Sequence, residues 1–187
     1  MRYNGAPMQI LRFSTQDADK AAEYYRKFFV KHAKEGKYAE NDTSQRKMIG
    51  AMMQDKRLVN VEMTPTGRSS ADVLVSSLDI FNMKIPEELA RDIPRIPGSE
   101  VIQHQDSRDG EKSNRLVIMQ NKQSVEGNAM YLREHYIQRG WQRDKDETVK
   151  TGEHRQLMFS RENRRLMVDM QRTGKNLTTV IYNEMTE

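Results

Sequence analysis

The chain has 187 residues, enough for one large domain or two small ones. It contains no cysteine, which excludes disulfides, thiolate catalysis and cysteine-ligated zinc. Its 31 Lys and Arg against 27 Asp and Glu leave a net charge of +4, a mild excess spread along the chain rather than gathered into the basic block of a dedicated nucleic-acid binder.

The opening, "MRYNGAPMQ", carries no signal-peptide pattern and suits a start that follows a removed leader or a lipidated cysteine. No apolar run approaches the roughly 20 residues of a membrane helix. A first strand is expected over Gln9–Phe13, then a helix capped by Asp17, whose side-chain oxygen can satisfy a free backbone N–H. Its apolar residues, Ala18, Ala21, Ala22, Tyr25, Phe28 and Phe29, fall on one stripe, and the helix is expected to stop near Gly36. Strands follow at "KYAEND", "KMIGAMM", "RLVNVEM" and "DVLVSSL", with a tight turn at "QDKR". "PEELARD" reads as a short helix begun by Pro86, and "IPRIPG" as a stiff extended linker. "EVIQHQ" adds a strand that hairpins through "SRDG".

The pattern then recurs. A strand at Leu116–Met119 leads to a helix capped by Ser124, with the stripe Val125, Ala129, Leu132 and Tyr136 and a stop near Gly140. Strands at "WQRDKDETV", "RQLMFS", "RLMVDMQ" and "TTVIYNEM" follow, with a tight turn at "RENR". Slid by 107 positions without gaps, Ala22 meets Ala129, Tyr24 meets Tyr131, Arg26 meets Arg133 and Glu40 meets Glu147. "VEMTPTGR" at Val61 falls on "VDMQRTGK" at Val168, with Gly67 and Gly174 expected to hold positive-φ turn positions. The expected fold is therefore α+β, with two tandem homologous β-α-β-β-β(-β) subdomains, each one helix on a mainly antiparallel sheet. The first spans 1–80, a proline-containing linker 81–97 and the second 98–187.

Strand parity puts Val59, Val61 and Met63 on one core face and Leu166, Val168 and Met170 on the other, so Glu62 and Asp169 both point away from their cores. They are the candidate metal-binding carboxylates. His32, His104, His135 and His154 form no constellation, and no metalloprotease, nucleophile-elbow or phosphate-loop motif occurs. Arg161, Arg164, Arg165, Arg172 and Lys175, with Trp141 and Tyr182, would make at most a weak nucleic-acid surface. The 13 methionines read as adaptable core filler.

Two resemblances attach to these residues. "QILRFSTQDADKAAEYYRKFF" and "VNVEMTPTG" resemble the paired βαβββ modules of glyoxalase-type (vicinal-oxygen-chelate) proteins. That resemblance implies a divalent-metal site between the repeats, with Glu62 and Asp169 as acidic ligands and Gln9 in place of a first-strand His or Gln; the second copy departs from it by placing Leu116 opposite Gln9. The order Pro94, Pro97-Gly98, Tyr131, Gly140-Trp141 is similar to small α+β domains of bacterial exported proteins and lipoproteins without assigned activity. This second resemblance implies a periplasmic or cell-envelope location and a possible lipid anchor. With no catalytic constellation in view, the reading is a non-catalytic binding or assembly component without a cofactor. It would act through a protein partner or self-association, and outer strands of its sheets could pair with a partner's edge. A glyoxalase-like metal enzyme, or a metal-free ligand-binding relative, is the alternative.

Overall fold

The computed structural model describes residues 1–43 and 46–187. Antiparallel strands dominate and helices are few, so the chain is α+β. It divides into two compact units, Met1 with Ala6–Met83 and Arg2–Gly5 with Lys84–Glu187. The two-residue opening strand β1 (Arg2–Tyr3) thus belongs to the second unit. Among the described residues no helix is long and apolar enough to cross a membrane.

Unit 1 runs β2 (Ala6–Thr15), α1 (Ala18–His32), β3 (Ala33–Asp42), β4 (Lys47–Met53), β5 (Arg57–Pro65) and β6 (Ala71–Asp79), and ends in a 3-10 turn at Ile80–Asn82. Its lateral order is β3-β4-β5-β6-β2, every neighbouring pair antiparallel. Asp17 caps α1, its Oδ1 accepting the Lys20 backbone N–H at 2.9 Å. The helix ends at His32 because Ala33 turns extended and already pairs with Met53 in the sheet; Gly36, the expected stop, lies inside β3. Alternation along β4 and β5 sends Ile49, Ala51, Val61 and Met63 to the α1 side, where they pack with Ala22 and Phe29 of the helix and with Ala71 and Val73 of β6.

Unit 2 contains α2 (Pro86–Leu89), β7 (Glu100–Asp109), β8 (Lys112–Asn121), α3 (Val125–Gln138), β9 (Gln142–Lys150), β10 (His154–Arg161), β11 (Arg164–Gly174) and β12 (Leu177–Thr186). Its lateral order is β1-β7-β8-β12-β11-β10-β9, again antiparallel throughout. Ser124 caps α3, accepting the Gly127 N–H at 2.9 Å. Val125, Ala129, Leu132 and Tyr136 are all buried, the full stripe expected from the spacing. Segment 81–97, expected to act as a linker, instead supplies Ala90 and Ile93 to the core of unit 2, and the Pro94 carbonyl accepts the Tyr182 hydroxyl at 2.7 Å.

The gapless 107-position alignment survives in the helices and in the last two strands. Val61 pairs with Val75 and Val168 with Tyr182; Met63 pairs with Val73 and Met170 with Val180. It slips by one residue elsewhere. Ile49 lies beside Val61, but the residue beside Val168 is the buried Leu157, not Gln156. Leu11 lies beside Val75, but the residue beside Tyr182 is Val117, not Ile118. Loop lengths are the cause. β4 and β5 are joined by Gln54, Asp55 and Lys56, whereas β10 and β11 are joined by Glu162 and Asn163 alone; the β2–α1 connection is likewise one residue shorter than the β8–α3 connection. Because side chains alternate faces, each slip had to be compensated by a loop to keep the core face inward.

Gly67 and Gly174, expected at positive φ, do not adopt it. At Gly67 a Cβ would stand 2.6 Å from the Ser70 hydroxyl, which would have to rotate away to admit it. Positive φ falls instead on the first residue of two of the two-residue hairpins, Gly110 (59°) between β7 and β8 and Glu162 (55°) between β10 and β11, and not on the Lys175-Asn176 turn between β11 and β12. The same positive φ is thus met once by a glycine, which adopts it freely, and once by a glutamate, which adopts it at a cost. Glu162→Gly should therefore raise, and Gly110→Glu lower, the urea unfolding free energy by about 1 kcal/mol.

Candidate functional site

The two units differ in how the helix side of their strands is covered. α1 packs on β3, β4 and β5, and α3 on β9, β10 and β11. In unit 2 the strands beyond α3 are covered as well. Val117 and Met119 of β8 are fully buried, with Val101 of β7 and Ala90 and Ile93 of the preceding segment in the same cluster. In unit 1 the residues of β2 on the α1 side are Gln9, Leu11, Phe13 and Thr15, as their pairing with Ser77, Val75, Val73 and Ala71 fixes. Leu11 is 58% exposed and Phe13 38%. α1 adds exposed rings at Tyr24 (62%) and Phe28 (38%), stacked with centroids 6.4 Å apart. Burying a side chain such as Leu or Phe is worth about 1.5–3 kcal/mol, so unit 1 leaves a substantial driving force unused.

The cover of unit 2 is held by an ionic clasp. Arg115 of β8 binds Asp92 through two hydrogen bonds, of 2.6 and 2.7 Å, and donates to the Leu89 carbonyl at 2.7 Å. Its Nε donates to His104 Nε2 at 3.0 Å. That geometry needs a lone pair on Nε2, so the proton of this buried imidazole sits on Nδ1, whose nearest carboxylate, Asp106, is 3.5 Å away and too far for a normal hydrogen bond. Burial is the main force holding the His104 pKa below its ordinary value; Asp106 opposes the shift and the Arg115 charge adds to it.

Glu62 lies in β5 and Asp169 in β11, both facing away from their helices, as parity required. Each is already paired to a base from the neighbouring strand end. Glu62 accepts from Arg46 at 3.1 Å. Asp169 Oδ1 lies 2.5 Å from His154 Nε2, and its Oδ2 accepts from Gln171 at 3.1 Å. Glu62 also lines a groove of about 440 Å³ with Arg12, Ser14, Thr64 and Asp72; the Ser14 hydroxyl donates to Asp72 at 2.6 Å. Gln9 does not join it. Gln9 pairs with Ser77, which pairs with Val59, on the helix side, so Gln9 and Glu62 occupy opposite faces of the sheet. Among the described residues no three His, Asp or Glu side chains are grouped to hold a metal.

The basic residues noted as a possible nucleic-acid surface do not converge. Arg161, Arg164 and Arg165 sit at one end of β11, while Arg172 sits eight residues along it, about 26 Å at 3.3 Å per residue. Tyr182 and Trp141 are buried at 2% and 8% exposure, which leaves neither ring free to stack on a base. β9, the outermost strand of unit 2, alternates charges along "QRDKDETVK" and is almost wholly exposed, the pattern of an edge protected against pairing.

Because His104 is held neutral in the folded chain, the unfolded chain binds a proton below about pH 6.5 that the folded chain refuses. Its contribution is complete above that pH and is lost as pH falls toward the folded value. Urea midpoints measured from pH 7.5 downward should fall less steeply for His104→Gln than for the wild type, with the two curves closest at the alkaline end. Compared with known proteins, the chain matches no family model, no curated relative and no solved structure.

Proposed function

We propose that the chain is a non-catalytic binding or assembly component built from two copies of one β-α-β-β-β-β unit, with the second copy covered by its own chain and the first left open to a protein partner. The observation that carries this reading is the exposure of Leu11 and Phe13, where the second unit buries Val117 and Met119.

Duplication is supported by more than strand order. Three ionic contacts recur at corresponding places. In unit 1, Arg26 of the helix binds Glu40 of the next strand, Lys47 reaches Asp19 at 3.8 Å, and Arg46 binds Glu62. In unit 2, Arg133 binds Asp146, Arg155 binds Glu126, and His154 binds Asp169. The partner of Arg133 is thus Asp146, one residue short of the Glu147 that a gapless alignment offers. The carboxylates Glu62 and Asp169 belong to this shared framework, which supports a structural role for them over a metal-binding one.

The cover of unit 2 indicates what the open face of unit 1 takes: a short helical turn and the segment after it, presenting small and branched apolar side chains as Ala90 and Ile93 do. The similarity to exported bacterial domains supports a cell-envelope setting for such a partner. Self-association is the first form to test, since an exposed apolar patch on a pure chain drives it. Sedimentation across the micromolar range should show concentration-dependent association that Leu11→Glu with Phe13→Glu abolishes, and the wild type should bind a hydrophobic dye more strongly than the double variant. A wild type that stays monomeric and binds dye no better than the variant would overturn the reading.

A further inference from the structure

We infer that unit 2 carries a binding site for a small oxoanion, a carboxylate or phosphate group on a compact organic molecule, at the C-terminal end of α3. A cavity of about 310 Å³ opens there. It is independent of the open face of unit 1.

The local backbone builds it. Gly140 takes φ 77°, and the chain closes the helix with two bonds, Gly140 N–H to the Ile137 carbonyl at 3.0 Å and Trp141 N–H to the Tyr136 carbonyl at 3.1 Å. This glycine-dependent helix end brings the residue after the glycine back over the last turn. Trp141 therefore meets Tyr136, ring centroids 5.6 Å apart and nearly perpendicular. Both side chains line the cavity and both are more than nine-tenths buried. Among the described residues neither the Tyr136 hydroxyl nor the Trp141 indole N–H donates to a protein acceptor, and neither is among the fully enclosed polar atoms without a partner. A buried hydroxyl or indole N–H ordinarily finds a partner. Two such donors at one cavity point to an acceptor that enters from outside.

The charges around them agree. Arg139, Arg161 and Arg164 line the same cavity, against Glu184 and Asp92. Asp92 is already held by Arg115, and Arg164 is paired with Glu184 and lies 5.1 Å over the Trp141 ring. Arg139 and Arg161 have no carboxylate partner among the described residues. Each donates through one nitrogen to a backbone carbonyl, Arg139 to His135 at 3.3 Å and Arg161 to Arg139 at 2.9 Å. A guanidinium has five donors in a planar fork that matches a carboxylate or phosphate, so most of that capacity remains. His135, also on the wall, is kept toward its neutral form by burial and by the Arg139 charge, so it does not add a third free cation. Ile93 and Pro94 give the cavity an apolar wall on which the rest of the ligand can lie.

Unit 1 shows that the fold itself does not need these groups. The position corresponding to Tyr136 is Phe29, fully buried without a hydroxyl, and those of His135 and Arg139 are Phe28 and His32. α1 also ends without the glycine-dependent turn.

Trp141 is the single tryptophan of the chain, so its fluorescence reports on this cavity alone. Inorganic phosphate and citrate, titrated at matched ionic strength against sodium chloride, should each give a saturable change that chloride does not. Arg161→Gln should weaken binding about tenfold or more, as loss of a charge-assisted hydrogen bond predicts. Tyr136→Phe, which keeps the ring packing, should weaken it severalfold, and Arg172→Gln, at the far end of β11, should leave it unchanged. Saturation by phosphate but not citrate, or the reverse, would assign the oxoanion class. No saturable change with either ion, a change reproduced by chloride, or equal affinities in the wild type, Arg161→Gln and Tyr136→Phe would overturn the site.

Discussion

One α-helix cannot cover a five-stranded sheet. A helix with its side chains is about 10 Å wide and strands lie about 4.8 Å apart, so one helix shields two or three of them. Both units meet this limit in the same way, with the helix over the three strands that follow it in the chain. The far half of each sheet then needs a second cover. Unit 2 has one, made from α2 and the segment after it, which bring Ala90 and Ile93 onto the core. Unit 1 has Leu11 and Phe13 in the open. The functional reading rests on this single difference.

The cover of unit 2 joins apolar burial to a polar clasp. Ala90 and Ile93 gain little from directionality, since hydrophobic burial scales only with area. Arg115 supplies the direction, tying Asp92 and the Leu89 carbonyl to β8 and drawing a neutral imidazole into the same network. An arginine half-sheltered between a carboxylate and a histidine lone pair makes the network sensitive to protons at His104, where no second base is close enough to accept them well.

The two units share a charged framework and diverge around it. The pairs Arg26–Glu40 and Arg133–Asp146 both pin the helix to the following strand, and Arg26 holds the Glu40 carboxyl down to about 2. At the C-terminal end of the helix the likeness stops. Unit 1 runs straight into β3, whereas unit 2 turns through Gly140 and sets Trp141 against Tyr136 beside arginines from β10 and β11. A difference at one helix end, between units that share these ion pairs, is where a binding property of one unit alone is expected to reside.

Sequence periodicity was enough to identify both helices, their Asp17 and Ser124 caps and the core faces of β5 and β11, because these depend on residues a few positions apart. The likeness between segments 107 positions apart was legible for the same reason. Its register was not: the one-residue slips at β2 and β4 follow from loop lengths, and only the burial of Leu157 and Val117 reveals which residues face inward. Glu62 and Asp169 were correctly placed on their outer faces, but parity does not disclose a partner, and the partners Arg46 and His154 come from neighbouring strands. Gln9 and Glu62 were joined by a resemblance that the pairing of three strands separates. The open face of unit 1 and the oxoanion cavity of unit 2 were invisible in the sequence, since exposure and unsatisfied donors are properties of what fails to pack against a residue. Local spacing determined the elements; tertiary structure alone decided what remains uncovered, because burial is set by contacts between residues far apart in the chain.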